Sequence, residues 1–390
     1  MKHVLERAVV EIGLRIAMIT ADFLPNIGGI ANHIYNLSRA MRQLGHDCRV
    51  LHLTTNRRLP TRETINGLPV LRFKLPPYER IKRFTAIPVA GSVLAFLRRF
   101  RPDVVHWHEL SNAWLMLRAL VRAPVKVVTI HSARFIRHSR HFLGRFSNRL
   151  QLAFADAVFV PSDELRNVVL PLAPHKGVHP VSNGVDVEVF KPHRRERKVS
   201  GGNMVLCPRR LVPKNGVEFL IEAAPRIVER FPQVRIVLAG SGRLLEKLQT
   251  RVEELGLKRT VEFLGHVPYA EIPRLYRQAA VVVMPSLVEA TSLACLEAMA
   301  SGCAVVASRV GGLAELIDDG VDGLLVEPAN PAQIADAVCK LLADPDLRRR
   351  LGQGARQKVV KHFSWRVQAR KIVNVYYKLL AEKRHENKNR

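Results

Sequence analysis

The feature that most constrains this chain is a rhythm. Short apolar runs rich in β-branched residues alternate with stretches whose apolar residues recur every three to four positions, and the series runs twice. LRIAMIT (14–20) opens it. A loop follows, then a helical stretch from Ile30 to Leu44 with Ile34, Leu37, Ala40 and Met41 on one face, stopped at Gly45. CRVLHLTT (48–55), DVVHW (103–107), KVVTI (126–130) and AVFVP (157–161) continue the strands, with helical stretches between them. Strands this short and apolar are buried on both faces, which a parallel sheet covered by helices provides.

The rhythm pauses at VSNGVD (181–186) and at the polar, charged segment KPHRRERKVSGGN (191–203), then restarts with MVLC (204–207), VRIVLAG (234–240), TVEFLG (260–265), AVVVMPS (280–286) and AVVAS (304–308). A chain of 390 residues also exceeds what one hydrophobic core usually spans, ~250–300 residues. The expected architecture is α/β: two doubly wound, Rossmann-like domains facing each other across a cleft. The expected divisions are a first domain at 1–190, a linker at 191–203 and a second domain at 204–363. A C-terminal helix and polar tail at 364–390 is expected to cross back to the first domain. In such sheets ligands bind outside the carboxyl ends of the strands.

Composition narrows the function classes. Lys and Arg number 61 against 34 Asp and Glu, a formal net charge of +27, which calls for an anionic partner. The excess is shared, with 27 basic against 13 acidic residues in 1–190 and 34 against 21 in 191–390. It is densest in 80–101 and in RFIRHSRHFLGRFSNRL (134–150), where five Arg interleave with Phe135, Phe142, Leu143, Phe146 and Leu150. That pattern fits docking on an anionic membrane surface, or a core-facing stripe with a solvated basic face. No apolar run reaches the roughly 18–20 residues that cross a bilayer. Charges at Glu6, Arg7, Glu11 and Arg15 argue against a secretory leader. Five Cys without a paired framework fit buried thiols in a reducing compartment.

Five segments carry chemistry. PNIGGI (25–30) places Gly28 and Gly29 between a strand and a helix, either a plain turn or a place where backbone amides approach a phosphate. LAGSGRLLEKL (238–248) does the same with Gly240, Ser241 and Gly242. CPRRLVPKNG (207–216) puts Arg209, Arg210 and Lys214 after a strand, as a diphosphate clamp or a solvated charge run. PSLVEATSLACLEAMASGCAVVAS (285–308) carries Glu289 in a loop and Glu297 in the next helix, and a buried carboxylate fits vicinal ribose hydroxyls. TIHSARF (129–135) puts His131 at the end of a buried strand. His106 and His108 share one strand face, but no third ligand is indicated, so a metal is not expected.

Together these residues resemble the retaining glycosyltransferases of family four, with the GT-B fold, over about residues 14–380. The most specific part is Glu289 and Glu297 with seven residues between them, followed by LEAMASGCAVVASRVGGLAELI; SNGVD (182–186) and FSW (363–365) match as well. The resemblance implies that the second domain binds a nucleotide sugar. Glu297 then holds the ribose hydroxyls, and Glu289 lies beside the donor sugar. The amides around Ser292 and Leu293 meet the diphosphate or sugar, and Arg210 and Lys214 neutralise the diphosphate. Gly28 and Gly29 close over it, the Gly240–Gly242 loop sits near the nucleotide, His266 near the base, and His131 meets the transferring sugar. It implies front-face transfer with retention, from a UDP- or GDP-sugar to a lipid-linked or glycan acceptor such as a glycolipid, lipopolysaccharide or polysaccharide. No cofactor beyond the donor, no metal and no nucleic acid partner are expected; the place is the cytoplasm, peripheral on the inner face of the membrane.

The chain departs from the family pattern where Ala290-Thr291-Ser292 replaces Gly-Phe-Gly. Counting back from Gly216 also puts Asn215, not Lys214, at the family's lysine, and Arg209 competes with Arg210. Rival readings are a nucleotide-sugar epimerase on the same fold, a basic nucleic-acid scaffold and an inactive transferase. An aromatic content of 6% and the absence of a recognised module weigh against the scaffold.

Overall fold

A computed structural model describes residues 13–26, 28–75, 87–109, 115–131, 133–192, 203–289 and 292–388. Ala290, Thr291, the basic residues at 80–83 and the greater part of the 191–203 segment lie outside the described residues. The chain divides into two compact units, 1–182 with 368–390, and 183–367.

The first unit is built on one eight-stranded sheet. Its strands are β1 (Arg15–Thr20), β2 (Asp47–Thr54), β3 (Arg62–Ile65), β4 (Leu68–Lys74), β5 (Val104–His108), β6 (Val125–Thr129), β7 (Ala157–Val160) and β8 (Gly177–Pro180). Their spatial order is β3-β4-β2-β1-β5-β6-β7-β8, parallel except for the β3–β4 hairpin. Strand β3 has alternating exposure, which marks a sheet edge rather than a core strand. The basic and apolar segment 134–150 falls in the helices Ala133–Ser139 and Phe142–Ala153.

The second sheet contains β9 (Met204–Cys207), β10 (Arg235–Ala239), β11 (Val261–Gly265), β12 (Val281–Met284), β13 (Ala304–Ser308) and β14 (Leu324–Val326). Its order is β11-β10-β9-β12-β13-β14, all parallel. The chain winds outward from β9 in one direction, returns, and winds outward from β12 in the other. Strands β9 and β12 therefore flank a switch point, where the connections leave in opposite directions and a crevice opens at the carboxyl ends. In the first sheet β1 and β5 play the same part. The second sheet is apolar on both faces, and the first has one apolar face, while on its other face buried His52, His106, His108 and Thr129 alternate with the strands' apolar residues.

The boundary falls after Ser182 rather than within 191–203. The cause is packing: Val185 bonds to Phe363 through its amide at 2.9 Å, and Phe190 is buried against Tyr276 in the second core. Arg356 ties the segment down, donating to the carbonyls of Phe190 at 2.7 Å and Val187 at 2.9 Å. The helix Trp365–Lys388 starts in the second unit and is part of the first from Gln368 onward. There Tyr376 is fully buried, its hydroxyl 2.6 Å from His106 Nδ1, and Lys383 pairs with Asp156 at 2.8 Å.

Candidate functional site

At the switch point of the second sheet the chain leaves β9 through Arg209 and leaves β12 through Ser286 and Glu289. Arg209 is the centre of what gathers there. It forms an ion pair with Glu289, donates from Nη2 to Ser286 Oγ at 2.8 Å and to Asn215 Oδ1 at 3.0 Å, and from Nη1 to Ser292 Oγ at 3.2 Å. Both charged side chains are about nine-tenths buried. A buried ion pair of this kind persists only with further hydrogen bonds, which the two serines and the asparagine provide. Nε of Arg209 is buried with no partner among the described residues.

Ser292 caps the helix Leu293–Ala300, accepting from Cys295 N at 3.2 Å, so free amides at 293 and 294 face the same corner. One turn further in, Glu297 is 9% exposed, with Tyr276 Oη 3.3 Å from its Oε2 and a hydrogen bond from Tyr269. Burial pushes its carboxyl up to about 7, against the two tyrosine hydroxyls that favour the charged form. The site is held by tight backbone contacts. A Cβ at Gly216 would strike Pro285 O, and one at Gly311 would strike Glu289 O, which already accepts from Gly312 N at 2.9 Å.

In the first unit the carboxyl ends of β5 and β6 deliver a second cluster. His108 Nδ1 lies 3.0 Å from His131 Nε2, and His33, from the helix Gly29–Gln43, packs edge-on to His131 with ring centroids 4.6 Å apart. His106 sits beneath, between Tyr376 and Thr129, with Thr129 Oγ1 2.6 Å from its Nε2. Burial lowers His106 to about 3 and holds His108 and His131 well below the usual histidine range, so all three are neutral at pH 7.

Two adjoining sequence families match the chain, "Glycosyltransferase Family 4" over residues 27–189 and "Glycosyl transferases group 1" over 189–358. An uncharacterized glycosyltransferase of Methanocaldococcus jannaschii is 31% identical over 93% of this chain and 98% of its own. This chain is a group 1 glycosyltransferase. Glycogen synthase of Mycobacterium tuberculosis is 29% identical over 96% of each chain. Among solved structures, Anabaena HepE in complex with UDP superposes with a TM-score of 0.72 at 20% identity, covering 94% of this chain and all of the other. That agreement, two parallel-sheet α/β units, is the GT-B fold.

Within this glycosyltransferase the structure sorts the residues picked from sequence. Glu289, Ser292, Leu293 and Glu297 come together at the switch point. Arg210 and Lys214 do not join them: both side chains are exposed, and Arg209 and Asn215 stand in the cluster instead. Arg209 is the arginine of the pair that turns inward, held by Glu289, Ser286 and Asn215. Lys214 acts through its backbone, its carbonyl accepting from Leu287 N at 2.9 Å. Gly240 and Gly242 are required by packing, since Cβ atoms there would strike Arg209 O and Leu211 O; Ser241 O accepts from Leu211 N at 3.0 Å. A Cβ on Gly29 would meet nothing within 4 Å, so its surroundings are open. His266 lines a cavity of about 240 Å³ with Val267, Glu271 and Arg274. Sequence reading missed Ser286, Tyr269, Tyr276 and His33. Only His33 left a trace, as a polar residue beside Ile34 on the buried face of its helix. His33 also joins His108 and His131 as a third ring, which the His106-x-His108 spacing alone did not disclose.

Proposed function

We propose that this glycosyltransferase moves a sugar from a UDP- or GDP-sugar to a lipid-linked or glycan acceptor in cell-envelope glycan synthesis, with retention and without a metal. The observation that carries the donor half is Arg209, buried at the β9/β12 switch point with a donor nitrogen to spare, beside Glu289, Ser292 and the free helix amides. HepE, with its UDP and UDP-glucose complexes, supports a nucleotide sugar as the ligand. Glu297 takes the ribose hydroxyls and Glu289 the donor sugar. Arg209 with the amides at Ser292 and Leu293 takes the diphosphate, with Arg210 and Lys214 adding exposed positive charge around it. The Gly240–Gly242 loop and His266 lie towards the nucleoside. For His131, Gly28 and Gly29 the assignment rests on the family resemblance: His131 meets the transferring sugar and the two glycines the phosphate.

In the reaction the bond from the anomeric carbon to the diphosphate oxygen breaks, the acceptor oxygen bonds to the same face of that carbon, and its proton passes to the departing diphosphate. Arg209 and the helix amides, fixed before the reaction, stabilise the charge that develops on the leaving group.

The acceptor half rests on the helix Phe142–Ala153, which is inside out. It buries Gly144, Asn148 and Gln151 while Phe142 is 82%, Leu143 78% and Phe146 64% exposed, flanked by exposed Arg145 and Arg149. Phe135 and Leu152 face the core, whereas Phe142, Leu143 and Phe146 lie outside it, and arginines beside those three suit an anionic lipid surface. No described helix is long and apolar enough to cross a membrane. We place the protein on the cytoplasmic face of the membrane, held by this helix. The test is thermal unfolding with a panel of UDP- and GDP-sugars, followed by transfer to lipid-linked acceptors. One donor raises the midpoint by mass action. A flat response across the panel, or an unchanged shift in Glu297→Ala, overturns the donor assignment.

A further inference from the structure

Transfer as proposed uses His131 but leaves His33 and His108 without a role. These three rings come from three separate elements: the helix after β1, the last residue of β5, and the residue two past β6. Each offers one ring nitrogen, and the three nitrogens all lie within 4.8 Å of one another. Ligands on a tetrahedral zinc, with Zn–N bonds of about 2.0–2.1 Å, sit roughly 3.3–3.4 Å apart. His108 Nδ1 and His131 Nε2, 3.0 Å apart, are already near that spacing.

We infer that His33, His108 and His131 form a site for a divalent late-transition ion of the zinc class, and that filling it withdraws His131 from the transferring sugar. Three imidazoles and no second oxygen donor select Zn²⁺, Co²⁺, Ni²⁺ or Cu²⁺ over Mg²⁺, Ca²⁺ or Mn²⁺. His33 and His108 are buried, whereas His131 is partly exposed, the side from which an ion would enter. The Glu109 carboxylate, accepting from His131 N at 2.8 Å, supplies negative charge beside the ion. The helix bearing His33 is fixed to the sheet by Ile34, Leu37 and Met41, all fully buried, so the donors are preorganised. The binding half of this inference is independent of the proposed reaction; the inhibitory half rests on it.

The experiment titrates untagged, metal-free protein with Co²⁺ and follows its visible absorption. The expected result is a four-coordinate spectrum saturating at one Co²⁺ per chain, displaced by Zn²⁺, and weakened at least tenfold in both His33→Gln and His108→Gln, with far-ultraviolet circular dichroism unchanged. UDP release from UDP-glucose is then slowed by Zn²⁺ in the wild type, restored by EDTA, and resistant to Zn²⁺ in His33→Gln. No Co²⁺ spectrum, or one that survives in both variants, overturns the site. A site that fills while UDP release continues unchanged overturns the inhibitory role. A metal-free protein that binds and turns over no nucleotide sugar counts against the proposed function instead, and the Co²⁺ result stands apart from it.

Discussion

The two sheets share one topological device and furnish it with opposite chemistry. At the β9/β12 switch point the second unit buries charge: an arginine, its glutamate and a carboxyl lifted to about 7. At the β1/β5 switch point the first unit buries neutral imidazoles, stripped of charge by desolvation. Fold alone therefore does not set what a switch point does; the side chains at the strand ends decide it. Under the proposed function the paired arginine would meet the diphosphate, and the neutral rings would hydrogen-bond the sugar or ligate an ion.

The largest break in that contrast comes from Arg209→Ala. Removing a preorganised cation at a developing negative charge costs about 10²–10³-fold in turnover. UDP release from the donor should fall by that much, while His131→Ala should cost less. The reverse ranking would move the centre of catalysis to the first unit.

Acid and base should then separate the units. His52 and His106 fall from 6.5 to about 4 and about 3 on folding, both through burial first. Between about pH 6.5 and those values the unfolded chain takes protons that the folded chain refuses, so the first unit loses stability as pH falls, on the order of 3 kcal/mol per group. Glu297 shifts the other way, from 4.5 to about 7. The folded second unit keeps a proton that the unfolded one has lost, so that contribution is present below pH 4.5 and disappears as pH rises through 7. Hydrogen exchange resolved by residue, at pH 5 and pH 8, should show opposite trends in the two cores. Hydroxyls of a bound ribose favour the carboxylate, so donor binding near pH 6.5 should release protons, visible as a buffer-dependent binding enthalpy.

Glycine substitutions sharpen the contrast at smaller scale. Gly240→Ala forces a Cβ onto the carbonyl of Arg209 and should cost about 1–3 kcal/mol in chemical denaturation. Gly29→Ala meets open space and should leave stability unchanged while raising KM for the donor. Smallest in stability is Phe146→Asp: unfolding should stay within about 0.5 kcal/mol of wild type, as for an exposed position, while flotation with anionic vesicles falls sharply.

Much of the architecture was legible because both sheets are buried on both faces, so strand after strand reads as an apolar run. What escaped were elements without that signature: β3 and β4, whose exposure alternates along the strand, and β8 and β14, most of whose residues are partly or fully exposed. The site was half legible. Glu289, Ser292 and Glu297 stand close in one strand–loop–helix segment and announce themselves together. Arg209 had to be chosen from two neighbours, and only the inward turn after β9 makes the choice. Tyr269 and Tyr276 bond to Glu297 from another segment, and spacing along a chain carries no sign of that.

By itself, then, the sequence determined two parallel α/β units and the carboxylates at the second switch point, because hydrophobic period and strand-end position are local properties. Only the tertiary structure decided which arginine turns inward, that the helix Phe142–Ala153 shows its apolar face to solvent, and that His33 joins His108 and His131. Those three depend on what packs behind a side chain, and the packing partners lie tens of residues away.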